Sequence, residues 1–347
     1  MNKKSIYSLT FDAMVQQFKD WGFGKFKADQ LFTWLYKKRC ADFDQMSDMS
    51  KAQKVLLNEN YETLSISCIT KQVSKDGTIK YLFDLGGASV ETVVMHYHFG
   101  YSICISSQVG CNMGCSFCAS GLLKKQRDLS AGEMVQQVLY AQMELDSIGE
   151  RIKNIVIMGT GEPFDNYDNV MDFCSIVNHA KGLEIGGRHI TISTCGLVPK
   201  IKEFALSGHP YNLAISLHAP NDALRSQIMP INQAYPLDQL MDALRFYASH
   251  SNRKITFEYI LLKGINDTNE HAKQLAKLIQ GLCAYVNLIP YNSVDENGYQ
   301  GVDMATALRF YDQLMKNGVK ATLRARHGDD IDAACGQLRA KKEGVLQ

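Results

Sequence analysis

The chain has 347 residues, 46% apolar and 21% charged, with 37 basic against 36 acidic side chains and a net charge of +1. This is ordinary globular composition, with room for one large domain and a small one, and it excludes a bulk-basic nucleic-acid binder, so any such surface must come from local clustering. No run approaches the ~18 apolar residues of a membrane span, Met1 to Tyr7 lack the apolar stretch of a signal peptide, and ten scattered cysteines do not make a secreted disulfide framework; the expectation is a cytoplasmic protein with no membrane partner.

Residues 1–62 read as a helical unit. Phe11, Met14, Val15, Phe18 and Trp21 recur at helical spacing, and Leu31, Phe32, Trp34, Leu35 and Tyr36 repeat the pattern over 28–38. Lys19, Lys25, Lys27, Lys37, Lys38 and Arg39 gather among these aromatics. The plain reading is a solvated helix end; the alternative is a phosphate-binding face. Residues 63–98 change to short strands at 72–74, 79–85 and 89–97, with a hairpin turn at Lys75-Asp76-Gly77-Thr78. Glu91 alternates within the third strand and reads as an exposed strand carboxylate.

From residue 99 to 328 strands and helices alternate. Strands are predicted at 102–106, 154–158, 189–194, 212–217, 254–262, 284–290 and 320–324. Helices are predicted near 130–148, 167–179, 199–206, 237–250, 268–280 and 304–317, the first opened by the capping-box pattern Ser130-Ala131-Gly132-Glu133. Six or seven β/α units imply an α/β fold with a parallel sheet, either doubly wound or an open TIM-like barrel. In both, chemistry belongs at the C-terminal ends of the strands. Residues 329–347 read as a loop.

The motifs lie at those strand ends. Cys111-Asn112-Met113-Gly114-Cys115-Ser116-Phe117-Cys118 puts three thiols on one tight loop. Cysteine selects zinc or an iron–sulfur cluster, and a closed zinc site needs four ligands. A cubane cluster held by three thiolates leaves one iron open. Later strand ends carry Gly159-Thr160-Gly161-Glu162-Pro163, Ser193-Thr194-Cys195-Gly196, Ser216-Leu217-His218-Ala219-Pro220-Asn221-Asp222 and Pro290-Tyr291-Asn292. Four polar turns along one rim point to a lined pocket. Cys104, in the first core strand, reads as a small core residue. Cys335, between Ala334 and Gly336, reads as a thiol presented on a loop.

Together these residues resemble the RlmN/Cfr family of radical S-adenosylmethionine (SAM) RNA methyltransferases. The resemblance spans nearly the whole chain and is carried most specifically by Cys104 together with the Ala-Ala-Cys335-Gly-Gln-Leu tail. It implies a partial (β/α)6 TIM-like barrel with a small N-terminal helical, RNA-binding domain and a β extension. It implies that Cys111, Cys115 and Cys118 hold one [4Fe–4S] cluster, and that Gly161, Glu162, Ser193, Ser216, Leu217, His218 and Asn292 bind SAM. Two SAM molecules are consumed per methylation. Cys335 accepts a methyl group from the first; the radical generated from the second removes a hydrogen from that S-methyl group, and the carbon adds to the adenine. Cys104 then releases the product by forming a transient disulfide with Cys335, and Glu91 or Cys104 takes up the proton. The implied partners are 23S rRNA, tRNA and a low-potential donor such as flavodoxin or ferredoxin, and a monomer is expected. In the resemblance, Pro163 stands where the C2-methylating members carry Pro and the C8-methylating members Ala, which implies the C2 position of the adenine. The alternatives are C8 methylation conferring antibiotic resistance, and a cluster-bearing RNA-binding protein without catalysis.

Overall fold

Strand order decides between the two parallel architectures. The structure, a computed structural model, describes residues 3–291, 298–324, 328, 330–332 and 337–342, with backbone only for Ala340 and Lys341. Ten strands form one sheet: β1 (Ser67–Val73), β2 (Ile79–Asp84), β3 (Ser89–Tyr97), β4 (Gly100–Cys104), β5 (Ile152–Ile157), β6 (Ile190–Thr194), β7 (Asn212–Ser216), β8 (Ile255–Leu261), β9 (Ala284–Pro290) and β10 (Ala321–Leu323). Each pairs with its neighbours in sequence. β1 to β4 form an antiparallel meander; β4 to β10 are parallel.

The order never reverses, so the sheet lacks the switch point of a doubly wound fold. Right-handed crossovers wound in one direction put the helices on one face and leave the other as a concave interior. This is the open, TIM-like alternative, an α/β fold with a mostly parallel sheet. The strands form where they do because they are rich in branched apolar residues, as in Ile-Val-Ile at 155–157 and Ile-Thr-Phe at 255–257. Both faces of a parallel sheet are covered, which favours such runs. Ile155, Ile157, Ile192, Leu213, Ile215, Phe257 and Leu288 are fully buried in one continuous core; each stabilises the fold by about 1.5–3 kcal/mol.

The helices are α1 (Phe11–Asp20), α2 (Lys25–Tyr36), α3 (Lys51–Asn60), α4 (Ala131–Asp146), α5 (Tyr167–Asn178), α6 (Val198–Leu206), α7 (Asp222–Ile228), α8 (Ile231–Ala234), α9 (Leu237–His250), α10 (Asn269–Leu278), α11 (Met304–Lys316) and α12 (Gln337–Lys342). The capping box at α4 is present: the Glu133 amide donates to Ser130 Oγ at 3.2 Å, and the Ser130 amide to Glu133 Oε2 at 2.9 Å. The N-terminal helices share the main core through Met14, Phe18, Leu31 and Phe32. α12 corrects the reading of 329–347 as loop. Its residues, Gln-Leu-Arg-Ala-Lys-Lys, are all good helix formers. The group that caps it comes from a distant strand, which sequence cannot show.

Candidate active site

The sheet's concave face encloses a cavity of about 340 Å³, within the usual range for small-ligand sites. Cys111, Cys115 and Cys118 line it, and so does Cys104. The backbone shapes the cysteine loop. Gly110 has φ +80°, and a Cβ there would lie 2.1 Å from the Lys124 carbonyl oxygen. The Cys111 amide donates to the Leu123 carbonyl at 2.9 Å, closing the loop. Its floor comes from far away: the Ser116 amide donates to the Ile228 carbonyl at 3.0 Å, and the Tyr291 hydroxyl to the Phe117 carbonyl at 2.9 Å. Phe117, Ala119, Ala219, Met229 and Tyr291 make a second apolar cluster around it.

This donor set fits a [4Fe–4S] cluster. Burial, and then the nearby Cys118 thiol, push Cys111 up to about 11 and raise Cys115 further. Buried thiols that resist ionisation, as Cys111 and Cys115 do, become ligands when a cationic centre draws off the protons. Among the described residues no three His, Cys, Asp or Glu side chains are gathered on a single metal ion. A cubane accepts thiols spread along a loop, because its irons are separate.

The Gly159–Pro163 turn packs against the end of β4. Gly161 has φ +110°, and a Cβ there would meet Gln108 Cβ at 2.6 Å. Glu162 is buried, and its Oε1 and Oε2 accept from the amides of Phe164 (3.0 Å) and Cys195 (2.8 Å). Burial raises its pKa; those same amides hold it down in part. Its carboxylate thereby ties the β5 turn to the β6 turn and keeps lone pairs for a ligand cation.

Ser193 and Ser216 line the cavity with hydroxyls 3.3 Å apart. His218 lines it from a left-handed backbone, φ +58°, a conformation that costs a non-glycine residue energy. Its Nδ1 accepts from the Ile260 amide at 3.1 Å, which leaves the proton on Nε2, and its ring stands nearly perpendicular to that of Phe117. Burial pushes its pKa down to about 3, so it is neutral. Leu217 is not brought to the cavity: its side chain is in the main core, and its carbonyl accepts from Arg225. Asn292 and Cys335 lie outside the described residues.

Cys104 pairs with Val93 across β3 and β4 and packs with Val93 and Met95, buried yet on the cavity wall. Glu91 corrects its reading as an exposed carboxylate. It is 3% exposed, its Oε2 lies 2.8 Å from the Lys80 ammonium, and its Oε1 accepts from the Arg339 amide at 2.6 Å. Alternation placed it on a face but could not say that α12 covers that face.

Three further polar residues, Arg225, Glu258 and Arg324, escape a reading by motif. Arg225 is fully buried and donates to the carbonyls of Cys195, Ser216 and Leu217 and to Asn232. Glu258, which accepts from Asn287 at 2.8 Å, and Arg324 line the cavity. Burial raises Glu258 to about 6 against the lowering by Arg324. Cys195 adds another thiol to the wall.

The N-terminal basic cluster is partly spent on the protein itself. Lys37 pairs with Glu184 and Arg39 with Asp146, while Lys27 donates to the Asp48 carbonyl. Among the described residues Lys19, Lys25 and Lys38 make no ion pair; Lys38 stands 3.3 Å above the Trp34 ring, and Lys25 lies over Phe11. Among the described residues no helix is long and apolar enough to cross a membrane.

Residues 105–279 match the family model of the radical SAM superfamily, and residues 5–63 that of the ribosomal RNA large subunit methyltransferase N-terminal domain. The chain is 52% identical over 348 residues to a probable dual-specificity RNA methyltransferase RlmN of Enterococcus faecalis, covering 99% of this chain and 98% of that one. It is 53% identical over 327 residues to the protein of the same name in Spiroplasma citri, covering 94% of each. It is also similar to the crystal structure of a radical SAM methyltransferase from Sphaerobacter thermophilus, with a TM-score of 0.91, 40% identity, and 96% and 98% of the two chains covered.

Proposed function

This chain belongs to the RlmN family of radical SAM RNA methyltransferases, and we propose that its reaction is methylation of C2 of an adenosine in 23S rRNA and of the adenosine next to the anticodon in tRNA. The observation that carries this reading is the place of Cys104, a fourth thiol on the wall of the cavity lined by the three loop cysteines. Neither cluster binding nor SAM binding needs it. Transfer of a carbon through a protein thioether does, because one thiol must carry the carbon and another must release it.

In this reading Cys111, Cys115 and Cys118 hold the cluster, which supplies the electron that cleaves SAM. Glu162 would take the amino group of SAM, and Gly161, Ser193, Ser216, His218 and Asn292 would hold the rest. Neutral His218 offers its Nε2 proton. Val93, Met95, Val156 and Met158 make an apolar wall beside Cys104, which keeps water from a reactive carbon. Cys335 carries that carbon to C2 of a base taken out of its stack. Cys104 would take up the ring proton while the adduct returns its odd electron to the oxidised cluster, and would then form the transient disulfide with Cys335 as the S–C bond breaks and the freed carbon takes a proton; Glu91, the other candidate acceptor, has both oxygens engaged.

Residues 1–62 face the RNA, 63–98 form the β extension, 99–328 the catalytic core and 329–347 the thiol-bearing tail. The protein acts as a monomer in the cytoplasm, with flavodoxin or ferredoxin as electron source. The test is mass spectrometry of rRNA and tRNA from a deletion strain complemented with this chain. A methyl at adenine C2, absent with Cys104→Ala while 5′-deoxyadenosine is still formed in vitro, is expected. A methyl at C8, or wild-type methylation by Cys104→Ala, overturns the reading.

A further inference from the structure

We infer that Glu91 is a positioning residue. With Lys80 and the β1–β2 hairpin, it grips the C-terminal tail on both sides of residues 333–336. The functional consequence rests on the reading of Cys335 as the carbon carrier; the grip itself does not.

The first anchor is the hairpin. Gln72 and Asp332 exchange two hydrogen bonds: Gln72 Nε2 donates to Asp332 Oδ2 at 3.1 Å, and the Asp332 amide donates to Gln72 Oε1 at 3.0 Å. Asp330 accepts from the Ser74 hydroxyl and from the Lys75 amide (3.2 Å). Asp76, in the turn, accepts from the Gly328 amide at 2.9 Å. Three described tail positions, 328, 330 and 332, are thus held by four residues of one hairpin, Gln72, Ser74, Lys75 and Asp76. Such a surface gives the β extension a task that its strand pattern alone does not suggest.

The second anchor is the buried Lys80–Glu91 pair. Glu91 stands diagonally from Lys80 across β2 and β3, since Lys80 pairs with Val93 and Leu82 with Glu91. One carboxylate oxygen holds the ammonium, and the other accepts from the Arg339 amide in the first turn of α12. Anchored so, α12 lies against β3 and against Ala119–Leu122, the turn that leaves the cysteine loop. Glu91, Val93 and Met95 share one face of β3, and Val93 is the partner of Cys104. The anchor therefore sits on the same inner face as the cavity thiol, one step further along the strand. Residue 335 is three peptide links from Asp332, a span of at most about 10 Å, and four from Arg339, so the two anchors flank it closely in sequence.

A base and a positioning residue answer differently to removal of the charge. The variant Lys80→Gln/Glu91→Gln keeps an acceptor for the Arg339 amide and a hydrogen-bonded pair, but has no carboxylate. Positioning predicts RNA methylation within about tenfold of wild type and unchanged amide exchange at 337–342. The exchanged pair Lys80→Glu/Glu91→Lys keeps the charges and turns a cation toward the Arg339 amide. Exchange there should rise by about tenfold or more, with RNA methylation falling while 5′-deoxyadenosine formation is retained. At the other anchor, exposed Asp330→Asn combined with Gln72→Ala leaves the core untouched and should loosen 328–332 in the same assay. A Gln/Gln protein that is inactive with its tail exchange normal would make Glu91 a base and overturn the inference, as would normal exchange in the exchanged-pair and hairpin variants. Absence of S-methylcysteine at 335 in the wild-type protein would instead overturn the functional reading, and exchange would still decide the grip.

Discussion

The guanidinium of Arg225 donates to the carbonyl of Cys195 at 2.6 Å and reaches the carbonyls of Leu217 at 3.2 Å and Ser216 at 3.4 Å as well. One buried cation thus fastens the turn after β6 to the turn after β7, the two that carry Ser193, Ser216 and His218. Arg225→Met should cost about 3–5 kcal/mol in denaturant unfolding, because several buried carbonyls lose their donor at once. Arg225→Lys should recover only part of this, since an ammonium cannot span the fork. A loss under 1 kcal/mol for Arg225→Met would show that the carbonyls find other donors.

Acid stability should follow His218. Its pKa falls from 6.5 unfolded to about 3 folded, so between those values the unfolded chain binds a proton that the native one refuses. Stability therefore drops as pH falls from about 6.5 toward 3, by up to about 1.4 kcal/mol per pH unit. Glu258 works the other way: raised from 4.5 to about 6, it favours the native state below that window and withdraws support as pH rises through it. His218→Asn tolerates the left-handed backbone and should flatten the acid limb. Unfolding midpoints measured from pH 3 to 8 check both signs.

Gly110→Ala should empty the iron site without touching a cysteine. The new methyl has no room against the Lys124 carbonyl, and φ +80° is unfavourable to alanine. The loop must shift, and with it Cys111. Iron and sulfide content after anaerobic reconstitution should fall severalfold, while far-ultraviolet circular dichroism stays native. Full occupancy in this variant would mean that the loop adapts.

RNA affinity should depend on the lysines that make no ion pair among the described residues. Lys19→Glu/Lys38→Glu is expected to weaken RNA binding and to reduce the slope of log K against log salt by up to about two, if each lysine contacts one phosphate. Lys37→Glu, which breaks the pair with Glu184, should affect the slope less. Filter binding across a salt series separates the two.

The cysteine loop and the strand-end turns are legible in the sequence because their chemistry is written in adjacent residues. The β/α alternation is legible for the same reason: periodicity is local. Winding direction is not, since helix and strand patterns are alike in doubly wound and singly wound sheets; the unreversed order of the strands decides it. Glu91 was the clearest failure of local reading. Its partners lie 11 residues before it and 248 after it, so alternation could assign a face but not a cover. Arg225 and Glu258 escape for a related reason: what makes each notable is burial among strand ends brought together only by the fold.

The floor of the cysteine loop has a consequence in time. The hydroxyl that supports Phe117 belongs to a residue 174 positions later, which at ordinary synthesis rates of 5–20 residues per second emerges roughly 10–35 s after the loop. A nascent chain that has exposed its three thiols has as yet no wall behind them. The support for the cysteine loop is therefore complete only once Tyr291 has been made.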